Sequence, residues 1–159
     1  MEHREIERKW LLERCPDKLE EYPGTEIEQG YLCRKPVVRV RRDGETYYLT
    51  YKGAGLMSRE EYNLPLTKEA YEHLVKKADG GLIWKIRRRV PLCGGLTAEI
   101  DVFLGGLSGL MLLEVEFESE EAARSFQAPA WFGTEVTENA AYSNAALSER
   151  MEGQPASER

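Results

Sequence analysis

The chain has 159 residues, 42% of them hydrophobic and 31% charged, which is the make-up of a single soluble globular domain able to bury roughly two-thirds of its unfolded surface. Its net charge of −6 excludes a general nucleic-acid coat protein, while leaving room for a small anionic ligand, since local arrangement decides that. No apolar run approaches the roughly 20 residues of a membrane helix, the start Met1 to Glu5 lacks a signal-peptide core, and Cys15, Cys33 and Cys93 form no CxxC pair, so a zinc site, a disulfide framework and a membrane role are disfavoured and a reducing, cytoplasmic location is expected.

Alternating runs dominate the chain. Strands are predicted near 3–12, 25–34, 37–43, 45–53, 58–66, 82–91, 97–104 and 111–118, separated by Gly-containing punctuation. Asp43-Gly44 between two such runs signals a two-residue hairpin. Helices are predicted from Pro16 to Tyr22, from a Thr67 cap to about Ala78, from a Ser119 cap to about Phe126, and from a Thr137 cap through Leu147. No linker or repeat splits residues 1–150, and 151–159 reads as a disordered tail. Eight strands with mostly short turns predict an α+β, mainly β, fold: an eight-stranded antiparallel barrel with flanking helices.

Alternate residues of a strand share a face. The first strand, Glu5-Ile6-Glu7-Arg8-Lys9, puts Glu5, Glu7 and Lys9 together. Later strands add Arg39 and Arg41, then Lys52, Glu61, the row Lys85, Arg87 and Arg89, the pair Glu99 and Asp101, and the row Glu114, Glu116 and Glu118. The opposite faces are apolar: Val38 and Val40, Trp84 and Ile86, Ile100 and Val102, Leu113, Val115 and Phe117. A wet sheet face usually mixes Thr, Ser, Gln and Lys; here basic and acidic strands are segregated. In a closed barrel that face is the lumen, and a lumen of both signs is costly unless paired, hydrated or filled. A short polyphosphate with metal ions fits the inventory. Arginine forks and lysine charges suit phosphate oxygens, and hard carboxylate oxygens suit Mg²⁺ or Mn²⁺. Phosphoryl transfer rests on positioning and charge neutralisation, so no Ser or Cys nucleophile is required. Alternation splits Arg87-Arg88-Arg89 between two faces, which argues against a nucleic-acid patch and places Arg88 outside.

The same residues carry a family resemblance. Glu5-Ile6-Glu7-Arg8-Lys9 resembles the ExExK signature of the CYTH superfamily, the triphosphate tunnel metalloenzymes. Gln29-Gly30-Tyr31-Leu32, Val38-Arg39-Val40-Arg41, Tyr51-Lys52-Gly53, Arg59-Glu60-Glu61-Tyr62, Lys85-Ile86-Arg87 and Leu113-Glu114-Val115-Glu116-Phe117 follow in the family's order. Trp131 to Thr137, then Tyr142 and Asn144, are similar to its C-terminal signature, so the resemblance covers about residues 3 to 148. It implies an eight-stranded tunnel binding a triphosphate. It implies phosphate contacts from Lys9, Arg39, Arg41, Lys52, Lys85 and Arg87, and Mg²⁺ or Mn²⁺ binding by Glu5, Glu7, Glu114 and Glu116, with Glu61, Glu99 and Asp101 as weaker ligands. It also implies a Tyr31–Lys52 dyad, in which Lys52 could help activate water if neighbouring cations favour its neutral form. Asn63 and Asn139 stand where relatives carry acids; the first weakens a metal ligand on the fifth strand, and the second is expected to cap or orient the last helix.

The expected activity, in the manner of bacterial inorganic triphosphatases, is metal-dependent hydrolysis of inorganic tripolyphosphate to pyrophosphate and phosphate, because a compact chain leaves few elements to recognise an organic group. The alternatives are hydrolysis of nucleoside or thiamine triphosphate, ATP cyclisation, or a non-catalytic polyphosphate sensor. The acidic set argues against the sensor, and the charged faces against a barrel for an apolar ligand. Self-association is left open.

Overall fold

The computed structural model describes residues 3–151. Its strands are β1 (Arg4–Leu11), β2 (Gly24–Arg34), β3 (Val37–Asp43), β4 (Thr46–Lys52), β5 (Ser58–Pro65), β6 (Asp79–Pro91), β7 (Thr97–Phe103), β8 (Met111–Glu116) and the short β9 (Thr134–Glu135). The helices are α1 (Lys68–Val75), α2 (Glu120–Ser125) and α3 (Asn144–Glu149), with single 3₁₀ turns including Leu19–Glu21. The sheet order is β5-β4-β3-β2-β6-β7-β8-β1-β9. A further β5–β1 ladder, Glu5 opposite Arg59, closes the first eight strands into the expected antiparallel barrel, leaving β9 as a flap on β1. Closure satisfies the edges that an open sheet would expose.

Most predicted elements sit where the pattern put them. Gly44, at φ 61°, turns β3 into β4. Thr67 and Ser119 cap α1 and α2 by accepting from Ala70 N and Ala122 N. The predicted C-terminal helix is corrected. Thr137 caps nothing: its hydroxyl accepts from Lys9 N at 3.0 Å and donates to Glu135 at 2.6 Å. Asn139 instead caps a 3₁₀ turn at Ala140–Tyr142, and Ser143 caps α3. Strand β6 begins three residues before its predicted start, crossing Gly80-Gly81. A Cβ on Gly81 would collide with that of Met151, so glycine is what lets the end of the C-terminal segment press onto β6. Met151 itself is buried, and the rest of the expected tail, 152–159, lies outside the described residues.

Two apolar clusters hold the barrel. The outer one sets Ile6, Trp10, Ile100, Leu113, Val115 and Phe117 beneath Ala123 of α2 and Phe132. Each large side chain buried this way contributes about 1.5–3 kcal/mol. Arg8, also outward, pins this cover: it forms a fork with Glu135 at 2.7 and 2.8 Å and donates to the carbonyls of Ala123 and Phe126. Arg88 is outside as expected, donating to Tyr22 O.

The second cluster is inside. Tyr31, Val37, Ile83, Phe103 and Leu112 gather with Val136, Leu147 and Met151. Each of those five lies two positions along its strand from a polar inward residue, respectively Gln29, Arg39, Lys85, Asp101 and Glu114. The inward face of the barrel thus changes from charged to apolar within one strand repeat. Tyr31 and Val37 of this layer reach the lining of a charged cavity, where Ser143, Asn144 and Ala145 complete its floor. Among the described residues no helix is long and apolar enough to cross a membrane.

Candidate active site

The cavity has a volume of about 380 Å³. Its lining includes Glu5, Glu7, Lys9, Tyr31, Arg39, Arg41, Lys52, Arg59, Glu61, Arg87, Glu99, Glu114 and Glu116. Strand register brings these distant residues together. The β1–β8 ladder sets Glu7 opposite Glu116 and Lys9 opposite Glu114. The β6–β7 ladder sets Arg87 opposite Asp101 and Arg89 opposite Glu99. The β3–β4 ladder sets Arg39 opposite Thr50 and Arg41 opposite Tyr48.

Most of the charge is paired. Lys52 Nζ lies 2.8 Å from Glu5 and 3.4 Å from Glu61, and Arg59 Nε lies 3.3 Å from Glu5. Lys9 Nζ lies 3.4 Å from Glu114. Arg87 grips Asp101 through Nε and Nη2 at 2.7 and 2.9 Å, and Lys85 Nζ lies 2.7 Å from the same carboxylate. Burial opposes ionisation of Glu5, but Lys52 and Arg59 outweigh it and hold its carboxyl well below the usual range. Burial likewise opposes ionisation of Glu114, and Lys9, Arg87 and Lys85 overcome it.

Two groups of residues are different. Arg39 and Arg41, 4% and 6% exposed, have no ion pair among the described residues. Arg39 Nη2 reaches Thr50 Oγ1 at 3.3 Å and its buried Nε has no partner. Arg41 Nε donates to Gln29 Oε1 at 2.7 Å and Nη1 to Tyr48 Oη at 3.3 Å. On the opposite side, Glu7 and Glu116 have no cation within bridging distance among the described residues. Burial and the charges of Glu114 and Glu5 push Glu7 well above the carboxylate range. Burial, with Glu5 and Glu99, pushes Glu116 up as well. The cavity therefore offers uncommitted guanidinium on one wall and crowded carboxyls on the other.

Among the described residues no three Asp, Glu, His or Cys side chains converge closely enough to hold an ion as they stand. The donor set nevertheless fits a hard divalent cation. Glu7 and Glu116 are cross-strand neighbours, are all-oxygen donors, and repel nearby carboxyls in a way that a cation would relieve.

Several expected site residues occupy less direct positions. Lys85 and Asp101 are 0% and 1% exposed and do not line the cavity; they form a buried layer behind Arg87. Tyr31 belongs to the floor and lies against the Arg39 guanidinium, with no hydrogen bond to Lys52 among the described residues. The charged groups nearest Lys52 are the carboxylates of Glu5 and Glu61, where the expectation for it required cations. Asn63 accepts from Thr50 Oγ1 at 2.6 Å and donates to Glu61 at 3.1 Å, so it orients Glu61. Gln29 and Asn144 stand in the resembled motifs without an assigned role. Both are hydrogen-bonded to the charged set, and the parity of Gln29 with the inward face of β2 was its available signal.

Comparison with known proteins agrees with this geometry. The family model described as CYTH domain matches residues 3–150. The "Inorganic triphosphatase" of Nitrosomonas europaea is 42% identical over 146 residues, covering 90% of this chain and 95% of that protein. The "Inorganic triphosphatase" of Acetivibrio thermocellus is 35% identical over 151 residues, covering 91% and 92%. The crystal structure of the inorganic triphosphatase NE1496 superposes with a TM-score of 0.69 at 39% identity, covering 94% of this chain and 97% of that one. The putative adenylyl cyclase HpAC1 from Hippeastrum, at 15% identity and a TM-score of 0.53, shares the fold over 76% of this chain and 82% of its own. With its closed barrel, its ordered charged strands and these matches, the chain belongs to the CYTH domain family.

Proposed function

We propose that the chain hydrolyses inorganic tripolyphosphate to pyrophosphate and phosphate in this cavity, with a divalent cation as cofactor. The carrying observation is the pair Arg39 and Arg41: two buried guanidiniums that face the cavity with only neutral hydrogen-bond partners among the described residues. A buried charge without a counter-ion is costly, and a polyanion supplies the missing one. The two curated relatives bearing the name inorganic triphosphatase support the same substrate class.

In this reading Arg39 and Arg41 bind phosphate oxygens on one wall, and Lys9, Arg87 and Lys52 bind them from the others. Lys85 acts through Asp101, which holds the Arg87 fork in place. Glu7 and Glu116 hold the cation, joined by Glu5 and Glu114 when their lysine partners turn to phosphate; Glu61 and Glu99 stand at the edge of that set. When bound, Mg²⁺ or Mn²⁺ would neutralise phosphate charge and polarise the scissile phosphoryl group. Lys52, held between Glu5 and Glu61, orients the attacking water and the terminal phosphoryl group, and Tyr31 steadies Arg39. Water attacks a terminal phosphorus, the phosphoanhydride bond breaks, and pyrophosphate leaves.

The test is phosphate release from tripolyphosphate, ATP and thiamine triphosphate, each with Mg²⁺, Mn²⁺ or chelator. Metal-dependent release from tripolyphosphate above the others is expected. Preference for an organic triphosphate would replace the substrate, and thermal stabilisation without any phosphate release would leave a cyclase or a sensor.

A further inference from the structure

We propose that Asn144, the first residue of α3, is a substrate-binding residue whose side-chain Nδ2 donates a hydrogen bond to a phosphate oxygen of tripolyphosphate; this rests on reading the cavity as the triphosphate site. A chain of obligate donors sets the geometry. The Arg41 guanidinium can only donate, and its Nε meets Gln29 Oε1 at 2.7 Å. That fixes the Gln29 amide, so its Nε2 faces the other way. Gln29 is 0% exposed, and a buried amide N–H must find an acceptor. The acceptor is Asn144 Oδ1, at 3.2 Å. The same oxygen lies 3.1 Å from Lys85 Nζ.

Both contacts take the oxygen end of the Asn144 amide, so the nitrogen end is left over. Among the described residues, Nδ2 has no acceptor, and Asn144 lines the charged cavity between Ser143 and Ala145. The amide is also held on a fixed support. Arg34 Nε donates to Ser148 Oγ at 3.1 Å, and Met151 presses on Gly81, so α3 is fastened to β2 and β6. A pre-oriented donor of this kind costs little ordering when a ligand arrives. As a neutral donor it adds a phosphate contact without adding to the repulsion among the arginines, which another lysine would do.

Two variants separate the possible roles. Asn144→Asp keeps an oxygen for Gln29 and Lys85 but replaces the donor. Asn144→Ala removes donor and latch together without adding charge. The proposal expects both to raise KM for tripolyphosphate by roughly 10- to 100-fold, the range for losing a hydrogen bond to a charged group. It also expects kcat to fall less and the metal concentration for half-maximal activity to stay within about twofold. A latch alone would spare Asn144→Asp, and a pure charge effect would spare Asn144→Ala; an unchanged KM in either variant overturns the proposal. Should Asn144→Ala fail to fold, Asn144→Leu takes its place as the neutral variant without a donor. Wild-type protein that is neither stabilised by tripolyphosphate nor able to hydrolyse it would overturn the reading of the cavity itself, and that outcome is seen before any variant is made.

Discussion

The β6–β7 wall and the β3–β4 wall of the cavity carry similar cations in opposite circumstances. On the first, β7 supplies acids in register: Asp101 takes Lys85 and Arg87, and Glu99 takes Arg89 at 3.2 Å. On the second, β4 meets Arg39 and Arg41 with Thr50 and Tyr48, which have hydroxyls and no charge. The difference lies in the partner strand, and it divides the cations by task. A buried cation with its own carboxylate is held in place by the scaffold, and a ligand must share it with that carboxylate. A buried cation facing hydroxyls is uncompensated and costs the empty protein stability, which on the proposed reading a polyanion relieves.

The largest effect is expected where the scaffold pairing is broken. Asp101→Ala leaves Lys85 and Arg87 buried without their carboxylate and should lower stability by about 3–5 kcal/mol. Denaturant unfolding measures it; a loss below 1 kcal/mol would erase the distinction between the walls. Next is Glu116→Ala, on the carboxyl side that has no cation within bridging distance among the described residues. It should keep the fold and lose about 100-fold or more in metal-dependent turnover, roughly 2.7 kcal/mol. Full activity at saturating metal would remove Glu116 from the site.

Arg39→Ala tests the ligand-facing wall. The expected rise in KM for tripolyphosphate is about 10- to 100-fold, and the melting temperature of the free protein should hold or increase, the opposite of Asp101→Ala. A clear loss of stability would make Arg39 scaffold after all.

The smallest effect concerns pH. Glu7 is held above its ordinary value of 4.5, so the fold favours its protonated form. Its contribution is complete below pH 4.5 and is lost as pH rises through the raised value. Glu5 and Glu114 have the reverse sign: held low, they stabilise above 4.5 and lose that stability as pH falls below it. Glu7→Gln should therefore flatten the alkaline side of the melting profile in chelator, by about 1 kcal/mol, and leave the acid side alone. An identical profile for both proteins would refute this account of Glu7.

The barrel and the inward set were largely legible because strand parity is a local property. Glu5, Glu7, Arg39, Arg41, Glu114 and Glu116 needed only their alternation with Ile6, Val38, Val40, Leu113 and Val115 to be placed on one face. Partners were not legible, since which acid meets which base depends on register between strands far apart in sequence. Lys85 and Asp101 share the parity of true lining residues, yet their mutual pairing draws them behind the wall. Thr137 has the local look of a helix cap, but its hydroxyl is claimed by Lys9 across 128 residues. Asn144 had no periodic signal; the resembled C-terminal motif marks its position, and its contacts became visible only through Gln29 and Lys85.

The apolar floor has its own consequence for which anions can be used. Behind Tyr31 and Asn144, the side chains of Phe103, Ile83, Leu112, Val37 and Leu147 carry no hydrogen-bond donor, so on the proposed reading a phosphoanhydride chain would find its last polar contacts at Tyr31 and Asn144. The floor acts as a depth gauge. On the proposed reading, chains longer than the charged zone would leave their surplus at the mouth, away from the arginines, and length selectivity would follow from where the interior ceases to be polar.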